Sequence, residues 1–235
     1  MSIREDFDKE KIAESISALW EPLTEKQRKY LADNIKIRAF EKNEILYQEN
    51  EQPSYMMCLL HGKIKIYKNG LGGRTQIVRV IRQMGLFGYH GAFVDENHHT
   101  SASAFESSTV CMIPVNVMMN LIKNNNNLAI FFIRQLSRML GEADTLTISL
   151  TQKHMRGRLA ESIMILKNKY GVEDDGTTLC IYLSREELAN MSNMTTSNAI
   201  RILSSFAAEH LIIIDGRKIK IINEDELYRI SSNGG

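Results

Sequence analysis

The chain of 235 residues has few cysteines, almost no net charge and no long apolar run, and each shortage excludes a class of protein. Its three cysteines, Cys58, Cys111 and Cys180, are widely spaced and form no C-x-x-C pair, so neither a disulfide framework nor a structural zinc site is indicated. A net charge of +1 gives no overall basic field, so any attraction to nucleic acid must be local. No run is long enough to span a bilayer and the charged start does not resemble a signal peptide, so we expect a cytoplasmic protein with no membrane partner.

The chain also lacks the motifs of catalysis. No Ser/His/Asp or Cys/His order, phosphate loop or metal-ligand spacing is present, and the six histidines are not arranged as general bases. We therefore expect that the protein is not an enzyme and that it holds no metal.

The first half of the chain has the pattern of a β-rich domain behind two short helices. Helices are expected near 8–19 and 24–34, the second opened by a capping box from Thr24 to Gln27. Short alternating runs separated by turns then predict strands at 44–47, 55–60, 63–68, 75–81, 100–105 and 109–113. This spacing predicts a small all-β barrel or jelly roll.

A long helix follows a short one near 115–123. The run Asn124 to Asn127 caps it, and its apolar residues are spaced by threes and fours at Ala129, Phe132, Leu136, Met139, Ala143, Leu146 and Leu150. This stripe predicts a parallel coiled-coil homodimer, with Gly141 near the seam where two helices can approach closely. A single helix lying on its own barrel needs a similar stripe and is the alternative.

The segment Ser184 to Leu203 fits a helix-turn-helix. Leu188 and Ala189 face inward from the first helix, and Asn193 suits the left-handed backbone of the turn. Apolar residues face back from the second helix at Met194, Ala199 and Ile202. Its outward residues, which would lie in the major groove of DNA, are Thr195, Thr196, Ser197, Asn198 and Arg201. Two amphipathic helices that never meet DNA are the alternative.

A β-hairpin after this unit predicts a wing. Runs at 211–214 and 218–222 flank the turn at Asp215 and Gly216. Its basic residues Arg217, Lys218 and Lys220 could contact phosphates. The residues predicted to contact DNA are Ser184, Arg185, Thr195, Thr196, Ser197, Asn198, Arg201, Arg217 and Lys218.

A jelly roll, a long dimerisation helix and a winged helix-turn-helix in this order resemble the CRP/FNR family of bacterial transcription regulators. The stretches Tyr55–Gly62 and Gln83–Gly88 look like its cyclic-nucleotide-binding-like sensor, and Arg156–Ile222 is similar to its DNA-binding domain without a gap. The resemblance implies an α+β protein with a sensor domain at 1–124, a dimerisation helix at 125–152 and a DNA-binding domain at 153–235. It also implies a homodimer on a palindromic duplex, controlled by a small-molecule effector.

The predicted effector pocket departs from family members that bind cyclic AMP. Their Gly-Glu-Leu turn is replaced by Gly88-Tyr89-His90, their Arg-Ser pair by His99-Thr100, and their adenine-reading Thr-Ser pair by Ala143-Asp144. A phosphate needs a cation or a nest of amides. We therefore expect an effector other than cyclic AMP.

The cysteines and histidines bear on the other cofactors found in the family. No iron–sulfur cluster is expected, because no cysteine precedes Cys58. Haem stays an alternative through His90, His98 and His99. The acidic loop from Val172 to Thr177 is either a contact for RNA polymerase or a solvated turn. A sensor module that acts through a protein partner is the alternative function.

The recognition helix departs from well-known relatives too. Arg201 keeps the position of the family's last base-reading arginine and should bind a guanine, whereas Ser197 stands where a glutamate reads bases. We therefore expect an operator that differs from the well-known TGTGA half-site.

Overall fold

A computed structural model describes residues 8–20, 22–70 and 73–233, in two compact units. The first unit comprises the described residues up to 68 and 79–140, and the second comprises 69–78 and 141 onward. The elements in chain order are α1 (Lys9–Trp20), α2 (Glu25–Asn34), β1 (Lys36–Phe40), β2 (Ile45–Tyr47), β3 (Tyr55–His61), β4 (Ile64–Asn69), β5 (Thr75–Ile81), β6 (Leu86–Phe87), α3 (His90–Val94), β7 (Ser101–Ala104), β8 (Ser108–Pro114), α4 (Val115–Lys123), α5 (Asn126–Gln152), α6 (Met155–Tyr170), α7 (Arg185–Met191), α8 (Thr196–Ala208), β9 (Ile212–Asp215), β10 (Lys218–Ile221) and α9 (Glu224–Asn233). None of the described helices is both long and apolar enough to cross a membrane.

The capping signals in the sequence mark helix starts correctly. Thr24 Oγ1 accepts from the Gln27 amide at 3.3 Å, and Gln27 Oε1 accepts from the Thr24 amide at 3.0 Å. At the long helix, Asn125 Oδ1 accepts from the Leu128 amide at 3.2 Å. Each bond satisfies an amide that has no partner inside the helix.

The β-rich region forms two four-stranded sheets, ordered β1-β8-β3-β6 and β2-β7-β4-β5. The predicted strands are present within a few residues of their expected bounds. Strands β1 and β6 and the short helix α3 were not predicted. Gly62, at the tight turn between β3 and β4, has φ +88° and lies where a Cβ would stand 2.3 Å from Ser108 Oγ, so only glycine fits this turn.

Strand β3 is buried on both faces because its sheet is covered on both sides. Met56 and Cys58 point to one face and join a core built with α1, α2, α4 and α5. Met57 and Leu59 alternate to the other face, since side-chain direction alternates along a strand. Cys58 lies directly opposite Cys111 of β8 in this core, and both thiols are fully buried.

The first half of α5 packs on its own unit, and this corrects part of the predicted dimer seam. Phe132 is only 3% exposed and contacts the rings of Trp20, Tyr89, Phe93 and Phe131 at 5.2 to 6.2 Å between centroids. Met139 packs against the same core. The prediction that Phe132 faces a partner helix is therefore wrong, because its side chain is already buried within one chain, whereas Met139 is half-buried.

A different stripe of α5 is exposed. Its apolar members are Ile130, Ile133, Leu136, Leu140 and Ile148. At about 100° per residue, the centre of this stripe is rotated by roughly a quarter turn from the predicted seam. Of the predicted seam residues, Leu136 and Ala143 are exposed and Leu146 and Leu150 are half-buried.

In the second unit, α6 packs against α9, α7 and α8, and the β9–β10 hairpin packs beside α8. Its core includes Leu159, Ile163, Leu188 and Phe206, all fully buried. Helix α9 was not predicted from the sequence.

Candidate functional site

Helices α7 and α8 and their turn have the geometry of a helix-turn-helix. Ser184 and Glu187 form a capping box at the start of α7, and Thr195 Oγ1 accepts from the Asn198 amide at 3.3 Å at the start of α8. Asn193 has φ +48°, as expected for the turn. The predicted inward residues Leu188, Ala189, Met194, Ala199 and Ile202 are all buried.

The opposite face of α8 is polar and open. Thr195, Thr196, Ser197 and Arg201 are exposed, and Asn198 is half-buried. Arg201 Nη2 donates to Asn198 Oδ1 at 3.3 Å, one turn earlier on the same face. This contact holds the guanidinium over the outer surface of α8, with its other N–H groups directed at solvent or a ligand.

Arg158 of α6 holds the turn between the two helices, a role that the sequence did not predict. Its Nε donates to the Ser192 carbonyl at 2.8 Å and its Nη2 to the Asn193 carbonyl at 3.1 Å. Its Nη1 donates to the Lys153 carbonyl at 2.9 Å, just before α6 begins. One planar side chain thus joins the end of α5 to the turn that sets the direction of α8.

The wing is present as predicted, but two of its lysines are paired with acids of the loop 172–177. Lys220 Nζ lies 3.3 Å from Asp175 Oδ2, and Lys218 Nζ lies 3.6 Å from Glu173 Oε2. Glu173 also accepts from the Tyr182 hydroxyl. These two carboxylates therefore contact the wing, while Asp174 and Asp175 remain exposed to solvent.

Arg185 lies at the start of α7 and reaches the wing. Its Nη2 donates to the Gly216 carbonyl at 2.9 Å, while its Nη1 is buried without a hydrogen-bond partner among the described residues. Arg217, at the tip of the hairpin, is exposed. The predicted DNA contacts thus lie on α7, α8 and the wing of one compact unit.

The first unit contains a cavity of about 40 Å³ that is partly open to solvent. Its lining residues are Tyr47, Arg79, Phe87, Gly88, His90, Gly91, His98, His99 and Thr100. Four of the seven residues predicted for the effector pocket are among them: Gly88, His90, His99 and Thr100. The described lining does not include Tyr89, which is buried in the core, or Ala143 and Asp144, which are exposed on α5.

Among the described lining residues, only Arg79 of β5 always carries a full positive charge. Its Nη1 and Nη2 lie 3.4 and 3.5 Å from Nε2 and Nδ1 of His90. Burial, with added repulsion from Arg79, lowers the pKa of His90 to about 4. His90 is therefore neutral at pH 7 beside a permanent cation.

A methionine sulfur connects this cavity to α5 within the same unit. Arg79 Nη1 donates to Met139 Sδ at 3.4 Å, and the Tyr89 hydroxyl donates to the same sulfur at 3.0 Å. Met139, a residue of the predicted dimer seam, is half-buried and contacts these two side chains.

The other two imidazoles are bound to protein groups. His98 stacks on Tyr47 with 3.9 Å between ring centroids, and His99 Nε2 lies 2.8 Å from Glu96 Oε2. Among the described residues, no three His, Cys, Asp or Glu side chains converge as metal ligands.

Sequence reasoning missed Tyr47, Arg79, Phe87, Gly91 and His98 as lining residues. A signal for Arg79 was present, because it stands between Val78 and Val80 in the otherwise apolar end of β5. A charged residue in such a strand indicates a polar cavity or a partner. No comparable sequence pattern indicated that Tyr47 or Phe87 lines a cavity, because both fit the pattern of ordinary core aromatics.

Comparison with known proteins agrees with this architecture. Residues 37–125 match the family model of the cyclic nucleotide-binding domain, and residues 157–230 match that of the Crp-like helix-turn-helix domain. The chain is 24% identical to Electron transport regulator A of Shewanella oneidensis, over 83% of this chain and 78% of that protein. It is also 24% identical to the Fumarate and nitrate reduction regulatory protein of Yersinia pestis, over 93% of this chain and 89% of that protein.

Solved structures share the fold. FixK2 from Bradyrhizobium japonicum superposes with a TM-score of 0.76 at 19% identity, covering 83% of this chain and 96% of its own. A putative transcriptional regulator of the CRP/FNR family from Eubacterium rectale superposes with a TM-score of 0.75 at 17% identity, covering 93% of this chain and 99% of its own. With both domains matched in the same order over more than half of its length, the chain belongs to the CRP/FNR family of transcription regulators.

Proposed function

We propose that the protein is a cytoplasmic homodimer that binds a palindromic operator and is controlled by an effector in its sensor cavity. The observation that carries this proposal is the outer face of α8. Thr196, Ser197 and Arg201 are exposed there, directly after the turn at Asn193. In a dimer, two such helices enter successive major grooves about one helical turn apart.

The dimer in this proposal uses the exposed stripe of α5. Ile133 is 57% exposed and Leu140 is 66% exposed, which is unusual for large apolar side chains on one helix face. Gly141 follows directly, and among the described residues a Cβ added there would meet no atom within 4 Å. A second copy of the helix covers this stripe, and the glycine permits a close approach.

We assign the sensor to 1–124, the dimerisation helix to 125–152 and the DNA-binding domain to 153–235. Ser184, Arg185, Thr195 and Asn198 are assigned to phosphate contacts, together with Arg217 and Lys218 on the wing. Arg201 is assigned to a guanine, with Thr196 and Ser197 beside it. Contact with RNA polymerase through the acidic loop would involve Asp174, because Glu173 and Asp175 are paired with the wing.

The experiment that tests the proposal is selection of duplexes from a random pool by the purified protein without an added effector. A palindromic motif with two half-sites about one helical turn apart supports the dimeric regulator. The Arg201→Ala variant serves as the control, because it should lose the preferred base at one position of each half-site. A TGTGA half-site would contradict the assignment of Ser197.

If the selection returns no motif, the affinity of the protein for a random duplex is measured at several salt concentrations. Nonspecific binding that weakens steeply with salt supports the DNA-binding role and indicates that sequence-specific binding requires an effector. Absence of salt-dependent binding overturns the role and favours a sensor that acts through a protein partner.

A further inference from the structure

We propose that Ile200 of α8 reads the 5-methyl group of a thymine in each half-site of the operator. This inference rests on the proposed function, since it assigns one more base of the DNA that α8 contacts. It adds an apolar contact to a face whose other readers are polar, and it names thymine as the base that this contact selects.

Ile200 is exposed on a helix whose other large apolar side chains are buried. It is 47% exposed, and among the described residues of α8 it is the only large apolar side chain that is exposed. Ile202, Leu203 and Phe206 are all buried against their own unit. The contacts that hold α8 in the unit therefore come from another face, and Ile200 lies outside it.

Ile200 shares the outer face of α8 with the polar residues assigned to DNA. It lies one turn after Thr196 and one turn before Ser204, and both of these residues are exposed. At about 100° per residue, Ile200 lies about 60° around the helix from Ser197 and about 100° from Arg201. A duplex that covers Thr196, Ser197 and Arg201 therefore covers Ile200 as well.

A single exposed isoleucine is ordinary on a protein surface, but this one stands where DNA binding excludes water. Phosphates and most base edges offer an apolar side chain no favourable contact. The exception in the major groove is the 5-methyl group of thymine, which apolar side chains contact in known readers. Thr196 and Ser197 have short side chains, so the helix can approach the bases closely enough for an isoleucine to reach that methyl group.

The side chain of Ile200 is suited to reading because it is stiff. A β-branched residue in a helix has one strongly preferred χ1 rotamer, so little rotamer freedom is lost when it binds. Side chains on a helix lean toward its N-terminus, so Ile200 covers the turn that begins at Thr196. This is the end of a recognition helix that contacts base edges.

Arg201 leaves Ile200 uncovered and fixes where the thymine should lie. Its Nη2 donates to Asn198 Oδ1 at 3.3 Å, and Asn198 lies on the side of Arg201 away from Ile200. Consecutive Cα atoms are about 3.8 Å apart and successive base pairs about 3.4 Å apart. The thymine should therefore lie within about two base pairs of the guanine that Arg201 binds.

The test removes one methyl group from the DNA. Operators are first selected from a random duplex pool by the purified full chain, alone and with a protein-free small-molecule extract of bacterial cells as a source of effector. Each thymine of the selected duplex is then replaced in turn by deoxyuridine, which lacks only the 5-methyl group. At one position of each half-site we expect the affinity to fall by about fourfold, as for loss of one buried methylene-sized group.

The same replacements are measured with Ile200→Ala, which keeps a good helix former at an exposed position and should fold normally. This variant should bind the thymine and deoxyuridine duplexes equally at that position, because the side chain that contacts the methyl group is gone. Ile213→Ala is the matched control. Ile213 is 51% exposed on β9 of the same unit, and its truncation should leave the fourfold effect of deoxyuridine unchanged.

Three results overturn the assignment of Ile200 while leaving the regulator intact. The selected motif has no thymine within about two base pairs of the position where Arg201→Ala loses its preference. Deoxyuridine weakens wild-type binding at no such position. Deoxyuridine weakens binding of the wild type and of Ile200→Ala by the same factor.

The failure of the proposed function has a different signature. A full chain that selects no motif, either alone or with the extract, refutes the sequence-specific regulator and the assignment of Ile200 together. Selection of a motif therefore supports the regulator, and the deoxyuridine comparison then decides the role of Ile200.

Discussion

Lys220 on the wing and Asp175 in the preceding loop form an ion pair, with 3.3 Å between Nζ and Oδ2. Asp175 also accepts from the Thr178 hydroxyl at 2.6 Å and from the amides of Thr178 and Thr177 at 2.8 and 3.0 Å. These bonds hold the pKa of the Asp175 carboxyl well below its usual range. A DNA phosphate must therefore compete with a fixed carboxylate for this lysine.

We expect Asp175→Asn to strengthen nonspecific DNA binding and to steepen its dependence on salt. One newly available lysine that neutralises one more phosphate changes the slope of log K against log salt by about −0.9. Fluorescence anisotropy with a random duplex at several salt concentrations measures this slope. Asp174→Asn makes the same charge change one residue away, and an equal effect of both variants would show that only net charge matters.

The hydrogen bonds that Asp175 accepts, first of all from the Thr178 hydroxyl, predict a dependence of stability on pH. Because the pKa of Asp175 is lower in the folded protein than in the unfolded chain, its stabilisation is present above about pH 4 and is lost as the pH falls below that. Asp175→Asn should therefore destabilise the second unit at pH 7 more than at pH 3. Urea unfolding followed by circular dichroism at both pH values checks this, and an equal loss at both would contradict it.

Arg201→Ala should relax specificity at a single position of each half-site. Loss of a bidentate contact to guanine costs about 1–3 kcal/mol of discrimination at that base pair. Competition binding with operators altered at each position in turn measures the effect. Arg217→Ala on the wing is the matched control, since loss of a phosphate contact should weaken binding to every duplex alike.

Leu140→Glu should convert the dimer into a folded monomer. The side chain is exposed within one chain, so the substitution costs the monomer little but places two charges in an apolar interface. Sedimentation velocity measures the change in mass. Glu142→Lys changes the charge of an exposed residue about 160° around α5 from Leu140 and should stay dimeric, whereas a dimeric Leu140→Glu would refute the assigned stripe.

Phe132→Ala should destabilise the first unit instead of separating the dimer. Truncation of a fully buried phenylalanine costs about 3–5 kcal/mol. Trp20 is the only tryptophan and contacts the Phe132 ring, so its fluorescence follows urea unfolding of this unit directly. Arg134→Ala, an exposed neighbour on α5, should change the unfolding free energy by less than about 0.5 kcal/mol.

Local chemistry allowed much of the fold to be predicted from the sequence. The capping box at Thr24, the left-handed Asn193 and the Asp215-Gly216 hairpin each depend on one or two residue types within a few positions. The inward face of the helix-turn-helix was predicted for the same reason, because the spacing of Leu188, Ala189 and Ala199 follows helix geometry directly.

The elements that were missed depend on tertiary contacts. Only Phe40 of β1 is fully buried, so this strand has no alternating pattern and is defined by its pairing with β8. Strand β6 has two residues, and it exists because Leu86 and Phe87 pair with Cys58 and Met57. Such short elements have no periodicity that a sequence could display.

Local sequence patterns also could not predict the position of the exposed stripe of α5 or of the cavity. Helix α5 is apolar on two adjacent faces, and spacing alone cannot say which face packs on its own unit. In the same way, Arg79 and His90 lie on different elements and meet only because β5 and α3 approach each other. The sequence predicted His90 and His99 as pocket residues, and only the folded structure shows that Arg79 lies beside them.

Cys58 and Cys111, opposite each other in the core of the first unit, give the protein an internal reporter of its own opening. Burial raises the pKa of both thiols, that of Cys111 to about 12, so neither forms a thiolate at neutral pH. An alkylating reagent can reach them only when the helices that cover this face of the sheet move away, while Cys180 of the second unit is half-buried and should react sooner. The alkylation rates of the three thiols therefore measure how often each unit opens locally. They can be compared with and without DNA in the unmodified chain.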